Sequence, residues 1–322
     1  MTLDAEMFRA LVAEAALSPS VHNTQPTRWR LTRDGRVQVL EDESRRLPVG
    51  DPEGRDLNIS HGSAVEGFCL AAERRGLTVD VGRDGSNVAE LTVRPGEVSD
   101  PLAAHLTERR TYRGKFEGGQ AAHAALARLE RSDDLIVLQT PQPVAELARL
   151  YDEASLRWFR NAAYRAELLS WMRLSRRHPS WSLDGLNAEA MEMSGIEAAG
   201  AGVVLRPGVF ETLDRVGLSG ALVAEAAVVR SASAIALFHR PANEAPFDTG
   251  RRFHRAWLGF TQAGLSAAPM AVLADDVDAR ACVKADFDIG SDRRLITAFR
   301  LGIAPARDLA PKPRLGLDAL IV

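Results

Sequence analysis

The 322 residues include only two cysteines, Cys69 and Cys282. They form no CxxC and no Cys/His ligand spacing, which argues against a zinc site of the usual kind. Two isolated thiols fit a reducing compartment. No apolar run approaches the roughly 18 residues that a membrane span needs. The first residues, MTLDAEMFRALVAEAAL, carry acids early and lack the basic segment and apolar core of a signal peptide. A cytoplasmic protein is expected. An excess of one charge is lacking too. The 40 basic and 43 acidic residues leave a net charge of −3, so nothing global points to nucleic acid or an anionic membrane as a partner. There is no GxGxxG after a strand, no GxxxxGK[ST], no HExxH and no GxSxG. These absences argue against a dinucleotide-binding Rossmann domain, a P-loop NTPase, a zincin and an α/β-hydrolase. The seven histidines (22, 61, 105, 123, 178, 239, 254) are scattered, with no ligand pair at helical spacing, so no metal site is expected.

What is present is enough apolar sequence, 46% of the chain, for a sizeable core without disulfides or metals. The length fits two domain-sized units or one intertwined unit. Phe8, Leu11, Val12, Ala15 and Ala16 follow helical spacing, and the helix should stop near Ser18-Pro19. RWRLT and VQVLE flank Asp34-Gly35 and predict a hairpin. Asp56 to Arg75 reads as a second helix closed by Gly76. VDV and AELTV read as strands, with GRDGSN between them. LIVLQT near 135–140 reads as a strand, followed by a long helical stretch over about Val144 to Arg176. Beyond it the pattern loosens, and a long irregular segment in a compact protein suggests a lid, a binding loop or a disordered insert. SAIALFHR reads as a buried strand, Thr249 to Ala263 as a helix closed by Gly264, and TAFRLGI as a late strand.

One internal match stands out. Shifting the second helix by 188 positions places Gly62 on Gly250, Val65 on Phe253, Phe68 on Ala256, Cys69 on Trp257, Ala72 on Phe260 and Gly76-Leu77 on Gly264-Leu265. Either the chain contains a duplication, or two amphipathic helices simply both end in glycine.

Two short stretches carry chemistry. SPSVHNTQP, Ser18 to Pro26, lies between a helix end and a strand. Its hydroxyls, carboxamides and backbone N–H groups suit the polar edge and side chain of a planar heterocycle, although Ser, Asn and Pro are also ordinary turn residues. ERRTYRGKF, Glu108 to Phe116, crowds Arg109, Arg110 and Arg113 around Thr111. Arginine's fork matches phosphate oxygens, although three arginines can also make a solvated basic patch. A further basic pair, Lys312 and Arg314 in APKPRLGL, could join them at a dianionic phosphate if the fold brings the two clusters together.

SPSVHNTQP resembles the PSxxNxQPW motif of nitroreductases, RRTYR their RRS-type phosphate motif, and FRLGIA with the following KPR their C-terminal strand and basic tail. The motif order, with DPEGRDLNISHGSAVEGFCLAA, resembles the Acg-type branch of single-chain twin nitroreductases. The resemblance covers most of the chain except the segment near 178–215. It implies an α+β fold of two related halves, 1–100 and 101–322, forming an intramolecular pseudo-dimer of antiparallel-rich sheets flanked by helices, with a lid-like insert near 178–215. Ordinary members of the superfamily are dimers with each flavin at the subunit interface. Here PSVHN lies in one half and RRTYR in the other, so the resemblance implies one complete FMN site per chain.

By position, Arg109, Thr111 and Arg113, with Arg110 adjacent, should contact phosphate or ribityl, completed by Lys312 and Arg314. Pro19, Ser20, Asn23 and Gln25 should approach from the other half, and Pro269 and Met270 belong to the loop expected beside the flavin ring. The chain departs from the family at Thr27, where the motif has tryptophan, and shows no acid after Met270. The implied activity is hydride transfer from NAD(P)H through flavin N5 to a nitroaromatic, quinone or similar acceptor, with the flavin rather than any side chain carrying the chemistry. The alternative is an FMN-binding or sequestering protein with a closed lid and little turnover. The protein would work as a monomeric pseudo-dimer or a homodimer.

Overall fold

The computed structural model describes residues 3–83, 85, 87–96, 99–306 and 312–322. Parts of two expected features, Asp84 and Ser86 of the β-turn and Ala310-Pro311 of the basic tail, lie outside the described residues. Helix α1 (Ala5–Ala15) is capped by Asp4, whose carboxylate accepts a 2.7 Å bond from Met7 N–H, and it buries Phe8, Leu11, Val12 and Ala15. The hairpin β1 (Thr27–Leu31) and β2 (Val37–Glu41) pairs antiparallel, with Trp29 opposite Val39. Helix α2 (Arg55–Glu73) follows, then β3 (Leu77–Gly82) and β4 (Ala89–Pro95). The four strands make one antiparallel sheet in the order β1-β2-β4-β3.

The rest of the chain supplies α3 (Gln120–Arg128), β5 (Leu135–Leu138), α4 (Pro141–Arg160) and α5 (Ala162–Trp171). A short parallel pair, β6 (Met172–Arg173) and β7 (Leu186–Asn187), leads to α6 (Gly195–Val204), α7 (Val209–Arg215), α8 (Ser219–Val223) and α9 (Ala226–Val229). Then come β8 (Ala234–Pro241), α10 (Pro246–Gln262), β9 (Ser266–Pro269), α11 (Val272–Asp275), α12 (Val277–Asp286), β10 (Arg293–Gly302) and α13 (Leu317–Leu320). A second antiparallel sheet runs β5-β8-β10-β9. The class is α+β.

The long helical stretch expected over 144–176 is in fact two helices. Asn161 divides them, because its side-chain oxygen accepts from Ala163 N–H and Tyr164 N–H and starts a new helix. The segment near 178–215 is only half irregular. Ser194 and Glu197 form a reciprocal cap that starts α6, and the Gly/Ala-rich sequence hid that helix by carrying no apolar period. The ends of the chain cross over as well. Ile321 forms a parallel bridge to Trp29, so the C-terminal residues join the first sheet, while Thr111 bridges to Ala267 at the edge of the second.

Helices α2 and α10 pack directly on each other between the two sheets. A Cβ at Gly62 would lie 1.9 Å from the Phe247 carbonyl oxygen, and one at Gly250 would lie 2.2 Å from that of Ile59. The 188-residue shift that carries Gly62 to Gly250 also carries Ile59 to Phe247, so the two contacts exchange. Glu66 binds Arg251 at 2.7 Å, and His254 Nδ1 lies 2.8 Å from Ser63 O. These pairs exchange under the same shift. Ile59 is buried in the core beneath the second sheet and Phe247 in the core beneath the first. Both helices end at left-handed glycines, Gly76 at φ +69 and Gly264 at φ +86. The backbones meet where each helix has no side chain, so Gly62→Ala or Gly250→Ala should destabilise the protein by about 3 kcal/mol through overpacking. The check is the denaturant midpoint of each variant. A shift within error would mean that the helices separate at little cost.

Candidate functional site

A cavity of about 1240 Å³ opens where the two sheets, the SPSVHN loop, the RRTYR strand and the C-terminal tail converge. The loop is built on hydrogen bonds and unusual backbone. Ser20 Oγ accepts from Gln25 N–H at 3.0 Å, and Ser60 Oγ accepts from Val21 N–H at 3.1 Å. His22, Asn23 and Gln25 have φ of +45, +55 and +50, three left-handed non-glycine residues within four positions. Each such residue costs of order 1 kcal/mol or more and persists only when its surroundings hold it.

Of the residues singled out from sequence, Pro19, Ser20, Asn23, Arg109, Arg110, Thr111, Arg113, Pro269, Lys312 and Arg314 all line the cavity. Gln25 and Met270 do not. Met270 is buried in the core behind the second sheet, because β9 ends there and its N–H bonds back to Ala298 O at 2.7 Å. Gln25 acts as a clamp. Its amide donates to Leu183 O at 2.8 Å and accepts from Leu315 N–H at 2.9 Å. Asn23 lines the cavity but its amide is likewise engaged by protein. It donates to Gly185 O and Pro313 O, both at 3.2 Å, and accepts from Arg314 at 2.9 Å. Both amides tie the loop to the 182–193 segment and to the tail.

The two basic clusters meet. Arg109 stacks on Trp257, 4.6 Å from the ring centroid, and donates to Leu17 O at 2.7 Å. Arg314 donates to the same carbonyl at 3.1 Å, and Lys312 donates to Thr107 O at 2.7 Å. Arg109 Nε and Nη1 and Arg314 Nε are buried without a partner. Among the described residues, none of Arg109, Arg110, Lys312 and Arg314 forms an ion pair with a carboxylate. Burial and the charges of Arg314 and Arg110 push Arg109 down to about 9. Burial and the charges of Arg109, Arg314 and Arg110 push Lys312 down to about 7. Like charges held together out of water with donors to spare could hold a multiply charged anion.

Arg113 stands apart from this cluster. Its guanidinium donates to Ala190 O at 3.2 Å, its carbonyl accepts from Arg300 at 3.1 Å, and its charged neighbours are Glu225, Tyr151 and Arg300. It lines the cavity as expected of a residue that contacts phosphate or ribityl, on bonds separate from those of Arg109 and Arg314. In the RRTYR segment, Thr111 and Tyr112 pair with Ala267 at the edge of β9, and Arg109 and Arg113 serve different parts of the cavity.

The far wall was not legible as a site. It is made by Trp158, Phe159 and Tyr164 at the α4–α5 junction, with Met172, Met191 and Met193 from the segment that follows. Trp158 and Tyr164 pack edge to face at 4.8 Å. Asp56 and Asp275 also reach the cavity, both bound to Arg55, and burial beside Asp56 raises the Asp275 carboxyl. The aromatic pattern at the end of α4 was the available signal, but helical periodicity could not say that the face opens onto a cavity. Among the described residues no cluster could hold a metal ion, and no helix is long and apolar enough to cross a membrane.

No family model matches the chain. The "Putative NAD(P)H nitroreductase Rv3131" of Mycobacterium tuberculosis is 29% identical over 181 residues, 52% of each chain. The "Putative NAD(P)H nitroreductase acg" of the same species is 32% identical over 97 residues, 29% of each chain. The match thus spans about half the length of the first of these relatives. Among solved structures, the FMN-dependent nitroreductase NfnB of Mycobacterium smegmatis in complex with NADPH aligns at a TM-score of 0.36 and 18% identity, over 68% of this chain and 96% of its own. An FMN-bound nitroreductase of Bacteroides fragilis aligns at 0.35 and 12%, over 68% and 96%. The sequence relatives carry the name that the motifs suggested, and the resemblance to the nitroreductase superfamily stands on them.

Lys312 yields a prediction with a definite sign. Its folded value, about 7, lies below the ordinary 10.5, so the unfolded chain holds that proton more tightly and stability rises with pH between these values. Lys312→Met should raise the thermal midpoint of the ligand-free protein near neutral pH, and the advantage should fade toward pH 10. The same variant should bind inorganic phosphate at least about tenfold more weakly, as expected for one lost charge-assisted bond. Calorimetry across pH checks both effects, and a variant less stable at pH 7 would contradict the assignment.

Proposed function

We propose that this chain is an FMN-dependent NAD(P)H oxidoreductase, with one flavin site per chain formed between two related halves. The observation that carries the reading is the set of Arg109, Arg110, Lys312 and Arg314, cations without a carboxylate partner at one side of a large cavity. Their unpartnered N–H groups fit the phosphate of FMN. Support for two related halves comes from the exchange of the Gly62–Phe247 and Gly250–Ile59 contacts under a single shift. The names of the sequence relatives point the same way.

When bound, the flavin supplies hydride acceptance and donation at its ring. The protein's residues bind, orient and enclose. Arg109 is held flat on Trp257 and aimed by Leu17 O, so its free N–H groups meet an anion without reorganisation. Lys312 gains its proton when a dianion enters, which couples binding to pH near neutrality. The β9 edge and Pro269 present backbone beside the cavity. The aromatic and methionine wall excludes water from the opposite side and supplies polarizable surface for a small aromatic or quinone-like acceptor. The cavity exceeds the ~1,000 Å³ upper range for one drug-sized ligand, leaving room for a nicotinamide or an acceptor beside the cofactor.

Two measurements test this. The protein should bind FMN, and anaerobic NADPH or NADH should bleach its visible absorbance. The double variant Arg109→Gln, Arg110→Gln should lose FMN affinity by at least about a hundredfold, the effect of two charge-assisted bonds, while keeping its circular dichroism. Unchanged affinity would place the phosphate elsewhere.

A second reading, a flavin-binding protein with a closed lid, is favoured by one specific feature. The 182–193 segment is bonded to the site's own residues, through Arg314 N–H to Ser182 O, Gln25 to Leu183 O, Asn23 to Gly185 O and Arg113 to Ala190 O. A lid tied in this way would admit a small reductant and exclude a nicotinamide. Rapid reduction by dithionite with slow reduction by NADPH would support the lid, and comparable rates would remove it.

A further inference from the structure

We propose that His22 is the specificity-determining contact for the second ligand in the cavity, and that this ligand presents an uncharged oxygen, a carbonyl or nitro group, to the imidazole. The inference deepens the oxidoreductase reading above and rests on it.

Three observations converge on this side chain. His22 holds a left-handed backbone at φ +45 between two other constrained positions. Strain of that kind survives where the surrounding structure enforces it, and it fixes the direction of the side chain. The ring lines the cavity, and among the described residues neither ring nitrogen has a hydrogen-bond partner. A buried imidazole ordinarily satisfies its donor and its acceptor. Two buried histidines elsewhere in this chain each bond one ring nitrogen within the protein: His61 Nδ1 meets Thr27 Oγ1 at 2.9 Å, with Nε2 left without a partner, and His254 Nδ1 meets Ser63 O at 2.8 Å. His22 is thus a polar group in the cavity wall whose ring bonds are left open to whatever enters.

Its surroundings say what enters. Asp56 and Arg113 act on the ring from opposite signs, and burial keeps it neutral, pushing its titration down to about 4. Asp56 and Arg113 line the same cavity as His22, and they are the charged groups that act on its ring. A ligand bringing a full charge would lose its hydration there and find a neutral imidazole flanked by charges of both signs. An uncharged carbonyl or nitro oxygen accepts one N–H bond from the ring and needs no counter-charge. The neutral state holds across the physiological range, so recognition should not vary with pH there.

The test uses the FMN-loaded protein with a neutral probe, 4-nitrobenzyl alcohol, and an anionic one, 4-nitrobenzoate, as acceptors. The variants are His22→Phe, which removes both ring bonds, and His22→Asn, which keeps a donor and an acceptor and tolerates the left-handed backbone. His22→Phe should raise KM for the neutral probe about tenfold, one lost hydrogen bond's worth. FMN affinity, the visible spectrum and the rate of reduction by NADPH should be unchanged. His22→Asn should restore KM to within about threefold. Wild-type KM for the neutral probe should be flat from pH 6 to 8, and the anionic probe should be the poorer acceptor. Thermal midpoints establish that both variants fold. An unchanged KM in His22→Phe, a preference for the anion, or a KM that climbs as pH falls toward 6 would each overturn the proposal. Loss of FMN binding in His22→Phe would also overturn it, by assigning the side chain to the cofactor. Failure of the wild-type protein to bind FMN or accept electrons from NADPH would strike the underlying function instead, so the two failures are distinguishable.

Discussion

The crossing of α2 and α10 at Gly62 and Gly250 is the contact on which the rest of the molecule depends. Two backbones approach so closely that no Cβ fits at either glycine. That approach lets Ile59 enter the core of the second sheet and Phe247 the core of the first. Each helix thus helps fill the hydrophobic interior beneath the other helix's sheet. The SPSVHN loop is held by α2 through Ser60, and Arg109 stacks on Trp257 of α10. The spacing of the two helices therefore sets the distance between the two sides of the cavity.

The cavity itself is a place of unmet electrostatic demand. Four cations gather where burial costs each of them solvation, and none among the described residues is neutralised by a carboxylate. Elsewhere in the chain, buried charges are paired with care: Glu66 binds Arg251 and Arg255, and Asp184 binds Arg173 and Arg45. The contrast is informative because an unpaired buried charge is among the costlier things a fold can contain. Unpaired cations gathered in a cavity wall are the kind of charge that a ligand from outside can neutralise.

The loop that faces the cluster is constrained for a related reason. Asn23 and Gln25 do not reach for a ligand with their amides. They hold together three segments distant in sequence, the loop, the 182–193 stretch and the tail after Lys312. The left-handed backbone at His22, Asn23 and Gln25 is what allows the side chains to point in these different directions within so few residues.

Much of the architecture could be read from local pattern. The spacing of Phe8, Leu11, Val12 and Ala15, the hairpin about Asp34-Gly35 and the glycine-ended second helix all depend on interactions within a few residues, which periodicity and turn chemistry report directly. The arginines of RRTYR and the basic tail were legible as concentrations of positive charge for the same reason, since a guanidinium's chemistry is carried by its residue type. The 188-residue match was visible in sequence as well, although its meaning was not. Tertiary structure decided what local pattern could not reach. Arg109 bonds Leu17 O and Arg113 bonds Ala190 O, on either side of the Thr111 bridge to β9. Gln25 bonds Leu183 and Leu315, and Met270 turns into the core. The aromatic wall faces a void, and His22, one of seven scattered histidines, is the one left with open bonds in the cavity. Each of these depends on which distant surface a side chain meets. That is set by long-range packing around the α2–α10 crossing, and no window of neighbouring residues contains it.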